Sequence, residues 1–195
     1  MRCSPSRAAS GGPWARRVPR AGLSPAALVD VALEELDAGG GPLSISAIAA
    51  RAGVKPPSIY KHVAGLAELE ALVGARIYDD LGHELEAATA GLERADAARA
   101  FLHAYRAFAV RHPERYRALP VHPLGHPLLE AAGERVLGIA ARAVDGLSGD
   151  DAIHALRALR AAAHGFATLE AAGGFGLATD VDASFDRLVD RLVAP

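Results

Sequence analysis

Residues 44–63, SISAIAARAGVKPPSIYKHV, spell two short helices joined by a sharp turn. Ser44 suits an N-cap, and Ile45, Ile48 and Ala49 lie on one face of the helix that follows. Ala52-Gly53-Val54 then supplies a small residue and a glycine, which a tight turn between helices requires. Pro57 falls in the first turn of a second helix, where the donor it lacks would be unpaired in any case. Ile59 and Val63, four apart, anchor that helix to a core, while Ser58, Tyr60, Lys61 and His62 project hydrogen-bonding groups from it. A helix carrying hydroxyl, phenol, ammonium and imidazole within five residues can donate to base edges and phosphates in a major groove. An ordinary helical hairpin with a solvated face would share the apolar periodicity, so the flanking segments decide between the two.

Upstream, Leu23-Ser24-Pro25 gives an N-cap followed by proline at the first helical position, and Leu28, Val31, Ala32 and Leu36 recur at helical spacing to about Asp37. The run Gly39-Gly40-Gly41-Pro42 ends that helix. Downstream, Leu69, Leu72, Val73, Ile77, Leu81 and Leu85 mark a long amphipathic helix starting near Leu66.

With these flanks, Ile45 to Leu69 resembles the DNA-binding region of the TetR family of one-component bacterial regulators. The resemblance rests on Ala52-Gly53-Val54, Pro57-Ser58-Ile59 and Tyr60-Lys61-His62-Val63, with Leu69 in the next helix. It implies that Tyr60 and His62 meet phosphates, that Ser58, Lys61 and Lys55 face bases beside Pro57, and that Ser44 and Ser46 meet the DNA backbone. Leu66 stands where the family often has a basic residue, so that phosphate contact is not carried over.

Charge supports a nucleic-acid partner once the chain is divided. The formal net charge of the 195 residues is −2, yet residues 1–65 hold eight Lys/Arg against four Asp/Glu, and the remainder thirteen against nineteen. The reader half is thus basic and the rest acidic, an electrostatic footprint for DNA. Arg2, Arg7, Arg16, Arg17 and Arg20 lie in a segment rich in Ser, Gly, Pro and Ala, expected as a disordered basic arm over residues 1–22. Arg16-Arg17 is followed by Pro19 and no apolar core, unlike an export signal. Cys3 is the sole cysteine, which excludes an intrachain disulfide and a thiolate metal cluster. A cytoplasmic location without membrane association is the expectation.

From Ala95 onward the periodicity is helical, so the fold class is all-α: a helix-turn-helix domain over 23–66, joined by a long helix to a bundle over 67–195. Phe101, Leu102, Tyr105 and Phe108 mark a helix ended by Pro113, and a short turn of helix covers Glu114 to Leu119. After the irregular Pro120 to Pro127, Leu128 to Val144 form a helix that stops at Gly146. Two more follow, from about Asp150 to Ala172 and from Val181 to Val193. The segments His103 to Leu119 and Arg160 to Ala172, with His164-Gly165, resemble a C-terminal ligand-sensing subtype of the same family.

That resemblance implies a homodimer paired through the last two helices, with Arg160, His164, Phe166, Phe185, Leu188 and Leu192 as interface candidates. Tyr105, Phe108, Tyr116, Leu137 and His164 are candidates to line a cavity for an unknown small-molecule effector. The expected function is a ligand-responsive repressor on a palindromic double-stranded DNA operator, with a DNA-binding dimer lacking any effector as the alternative. A helical metal-binding enzyme using His103, His112, His122 and His126 is the remote one, since prolines break the His122 to His126 spacing and no general base stands between them. No G-x-S-x-G turn or phosphate-cradling loop occurs, so no catalytic residue, metal or cofactor is expected.

Overall fold

A computed structural model of the chain describes residues 22–194. The arm expected over 1–22 lies, apart from Gly22, outside the described residues. Regular structure among the described residues is entirely α-helical: α1 (Pro25–Asp37), α2 (Ile45–Ala52), α3 (Pro56–Ile59), α4 (Leu66–Thr89), α5 (Arg94–Arg111), α6 (Pro113–Arg117), α7 (Pro127–Ala143), α8 (Gly149–Ala171) and α9 (Val181–Leu192).

The first three helices begin and end where local chemistry dictates. The Ser24 hydroxyl accepts from the Ala27 N–H at 3.1 Å and opens α1, with Pro25 at the first helical position. Ser44 caps α2 in the same way, accepting from Ala47 N–H at 3.2 Å. At the other end of α2, Gly53 takes φ +68°, its N–H reaching the Ala50 carbonyl and that of Val54 the Ala49 carbonyl. This paired closure needs a left-handed residue, which glycine provides without a Cβ penalty. Leu28, Ala32, Leu36, Ile48, Ala49, Ile59 and Val63 are buried together beneath the three helices. The expected helix through Val63 is shorter than its periodicity suggested: α3 closes at Ile59 and Tyr60 to His62 continue as a turn. Pro56 and Pro57 both lack donors, so the first bonds come from Ser58 N–H to Lys55 and from His62 and Val63 N–H to Ile59.

The 24-residue α4 runs about 36 Å at 1.5 Å per residue. It packs on α1, α5 and α7. Leu69, Val73, Ile77, Leu81 and Leu85 form its buried stripe. Gly74 lets α7 and the preceding loop approach: a Cβ there would lie 3.1 Å from Leu129 Cδ1 and 3.4 Å from Pro120 Cδ.

At the far end, the Arg106 guanidinium ties α5 to α8 and α9. It donates at 2.6 Å to both Glu170 carboxylate oxygens and at 2.6 Å to Asp182, while stacking 4.9 Å from the Phe185 ring and 5.4 Å from the Phe166 ring. These bonds hold the guanidinium firmly protonated. None of the helices is long and apolar enough to cross a membrane, among the described residues.

Candidate functional site

The helix-turn-helix presents one polar face. Ser46, Lys55, Pro57, Tyr60 and Lys61 are exposed, and Ser44, Ser58 and His62 are half-buried. Ile59 and Val63 between them are sealed against α1 and α2, which fixes the outward direction of the polar set. Tyr60 is 55% exposed, so its ring does not pack into the core and its hydroxyl is free for an external acceptor. Ser44 has a double task, capping α2 while its oxygen lies 3.2 Å from that of Ser46. Beyond α3, the Glu68 carboxylate accepts from the Ala64 N–H and closes the turn into α4.

A cavity of about 120 Å³ lies among α4, α5, α6, α7 and α8. Of the five residues expected to line it, Tyr105, Tyr116, Leu137 and His164 do. Phe108 does not: it is buried in the core with its ring 5.2 Å from that of His112. Helical periodicity put Phe108 and Tyr105 near one another on α5 but could not tell cavity wall from core. Tyr78 and Arg160 were missed as wall residues. Tyr78 belongs to α4 and donates to the Pro120 carbonyl at 2.9 Å, a contact across 42 positions that leaves no local signal.

The wall's polar groups are linked. The Tyr116 hydroxyl lies 2.6 Å from His164 Nδ1 and 3.3 Å from the Tyr105 hydroxyl. Burial pushes the Tyr78 phenol up to about 12, raises Tyr116 and carries Tyr105 well above the ordinary value. Burial, aided by the Arg160 charge, holds the His164 imidazole below its usual value. At neutral pH the three phenols keep their protons and His164 is uncharged.

The short helix α6 joins the cavity to the reader. Tyr116 faces the cavity, while Arg115 beside it donates to Asp37 at the end of α1 at 2.7 and 2.5 Å and lies 3.5 Å from Asp80 of α4. The Arg115 hydrogen bond is the main cause that holds the Asp37 carboxyl below its ordinary range.

The interface candidates divide. Phe185 is fully buried within this chain, against the rings of His103 and Phe166, because Arg106 draws α9 onto α5 and α8. It therefore offers no surface to a partner, contrary to expectation. Phe166 is half-buried between Phe175 and Phe185, and Leu188 and Leu192 pack partly on the core. Arg160 and His164 are committed to the cavity wall. The histidines weighed for metal are dispersed in role: His126 accepts from the Leu128 N–H at 3.3 Å and caps α7, and His103 faces Asp186 at 3.7 Å. Among the described residues no group of three or more His, Cys, Asp or Glu is placed to hold a metal ion.

Residues 98–192 match the family model described as the tetracyclin repressor-like C-terminal domain. An uncharacterized HTH-type transcriptional regulator of Mycobacterium tuberculosis is 39% identical over 177 residues, covering 88% of this chain and 81% of that protein. Another from Bacillus subtilis is 30% identical over 169 residues, covering 84% and 87%. A TetR variant from Acinetobacter baumannii, solved in complex with minocycline, shares the fold with a TM-score of 0.66 at 19% identity, covering 89% of this chain and 96% of that one. A helix-turn-helix with an outward polar face, a linking α4 and this matched helical C-terminal region place the chain in the TetR family of transcriptional regulators.

Proposed function

We propose that this chain is a cytoplasmic, ligand-responsive repressor that binds a pseudo-palindromic DNA operator as a homodimer. The observation that carries the reading is the exposed set Lys55, Tyr60 and Lys61, with half-buried Ser58 and His62, on α3 and the residues flanking it, while Ile59 and Val63 of the same stretch are buried. Residues 23–66 form the reader, and 67–195 the sensing and dimerising part. Lys61, Ser58 and Lys55 reach base edges, Tyr60 and His62 meet phosphates, and Ser44 and Ser46 hold the start of α2 on the backbone. Two readers then sit roughly 34 to 36 Å apart, one turn of DNA. Exposed Ile153 and Leu169 on α8, with small residues between them, support pairing through α8 and α9.

The cavity favours ligand control over a dimer without an effector. A ligand against Tyr116 acts on α6, and Arg115 of α6 holds α1 through Asp37. Binding shifts the readers only as far as the ligand prefers the released arrangement; about 1.4 kcal/mol of preference gives about tenfold release. The test is footprinting of the full chain on DNA upstream of its own coding region, with a salt titration. A protected palindrome whose affinity falls steeply with salt supports the reading, and weak, sequence-blind binding there and in a random duplex pool refutes it.

A further inference from the structure

The cavity wall offers positive charge and hydrogen-bond donors but no carboxylate. Among the described residues that line it, Arg160 is the one guanidinium and there is no Asp or Glu. Arg160 donates to the Val121 carbonyl and has no ion-pair partner among the described residues. Arg106 and Arg115, by contrast, each meet two carboxylates. The charge on Arg160 also reaches the other polar wall groups, acting on Tyr78, Tyr105, Tyr116 and His164 alike.

The chain of Tyr105, Tyr116 and His164 carries a surplus donor whichever way it runs. With a proton on Nδ1, His164 donates to Tyr116, Tyr116 donates to Tyr105, and the Tyr105 proton is unspent. With the proton on Nε2, Tyr105 donates to Tyr116, Tyr116 donates to Nδ1, and the Nε2 proton is unspent. An acceptor inside the cavity meets the surplus donor in either arrangement, whereas an ammonium, though able to donate to a bare Nε2, leaves that donor unmet and faces Arg160 as a like charge. The rest of the wall, including Phe101, Val136, Leu137 and Leu156, is apolar. Size narrows the choice further: about 120 Å³ is below the range of pockets for drug-sized ligands and close to that of an apolar cavity that admits benzene.

We propose that the cavity receives a small apolar monocarboxylate, one ring or a short acyl chain in size, with its carboxylate between Arg160 and the surplus donor of the Tyr105, Tyr116 and His164 chain. This deepens the ligand-responsive reading above and rests on it for its regulatory meaning, while binding itself is measured without DNA. A neutral isostere keeps the apolar contacts and loses the ion pair; a cation meets Arg160 as a like charge.

The experiment is isothermal titration calorimetry of the full chain with benzoate, benzamide and benzylamine, three probes of one shape, and with hexanoate as the chain-like arm. Benzoate or hexanoate is expected to bind about tenfold or more tightly than benzamide, with no heat from benzylamine. Whichever of the two carboxylates binds better tells ring from chain. Arg160→Gln should abolish the preference for carboxylate over amide, Arg160→Lys should retain it, and Arg157→Gln, on the same helix but off the wall, should leave it unchanged. Benzamide or benzylamine binding as tightly as the carboxylates, no carboxylate binding, or a preference that survives Arg160→Gln overturns the assignment. Carboxylates that bind but leave DNA affinity unchanged would refute ligand control and support the cavity's chemistry, so the two failures are distinct.

Discussion

The pair formed by Asp37 and Arg115, with the longer contact of Asp30 to Arg76, holds the reader to the rest of the chain by polar contact, and its strength can be worked from geometry. Two N–H donors of Arg115 meet the two oxygens of Asp37 at 2.7 and 2.5 Å, a charge-assisted, two-pronged arrangement. Against that, the Asp37 side chain is 44% exposed and that of Arg115 20%, so water screens much of the attraction. The expected coupling is about 1 kcal/mol, at the upper end of exposed pairs. A double-mutant cycle of Asp37→Asn and Arg115→Gln, read by denaturant unfolding at neutral pH, measures it and cancels the loss of the 3.5 Å contact to Asp80. The sign of the pH dependence follows from the lowered Asp37 value. A carboxyl held below its unfolded value contributes fully above that value, about pH 4, and loses its contribution as pH falls through the lower folded one. The stability advantage of the native chain over Asp37→Asn should therefore shrink in acid. A coupling below about 0.3 kcal/mol at neutral pH, or one that does not change in acid, refutes the reasoning.

Three further outcomes are expected. Gly53→Ala should destabilise the chain by about 1 to 2 kcal/mol through backbone strain alone, because a Cβ at φ +68° meets nothing within 4 Å; thermal unfolding checks this. Phe185→Ala should cost about 3 to 5 kcal/mol, the loss of a fully buried aromatic, and its unfolding curve should show this even at protein concentrations where the chain is monomeric. His62→Ala should weaken binding to operator and unrelated duplex by a similar factor and reduce the slope of log affinity against log salt by up to about 1, as anisotropy titrations would record.

Much of the fold could be read from the sequence because its determinants are local. Ser24-Pro25 and Ser44 set helix starts, Gly53 set the turn, and the Leu69 to Leu85 stripe set α4, each through bonds or spacings within a few residues. The limits of α3 were less legible, since periodicity through Ile59 and Val63 continues across a turn that the doubled proline shortens. The outward polar set of the helix-turn-helix followed directly from which residues had to be buried. The cavity was legible only in part. Tyr105 and Tyr116 belong to recognisable helices, but their meeting with His164 spans 48 positions, and Arg160 turns toward Val121 across 39. Phe108 and Phe185 were misassigned for a shared reason: on an amphipathic helix an aromatic facing a core, a cavity or a partner looks the same until the neighbouring helices are placed. The Arg106 bonds to Glu170 and Asp182, which settle the position of α9, have no counterpart in local pattern.

The central claim is that the face formed by α3 and the turn after it reads base sequence, and the most direct measurement is the specificity ratio between an operator duplex and its scrambled counterpart at fixed salt. For Lys61→Ala the account predicts that this ratio falls by about tenfold to a hundredfold, the loss of one base contact worth about 1 to 3 kcal/mol, with binding to scrambled DNA much less affected. An unchanged ratio, with both affinities intact, would contradict it.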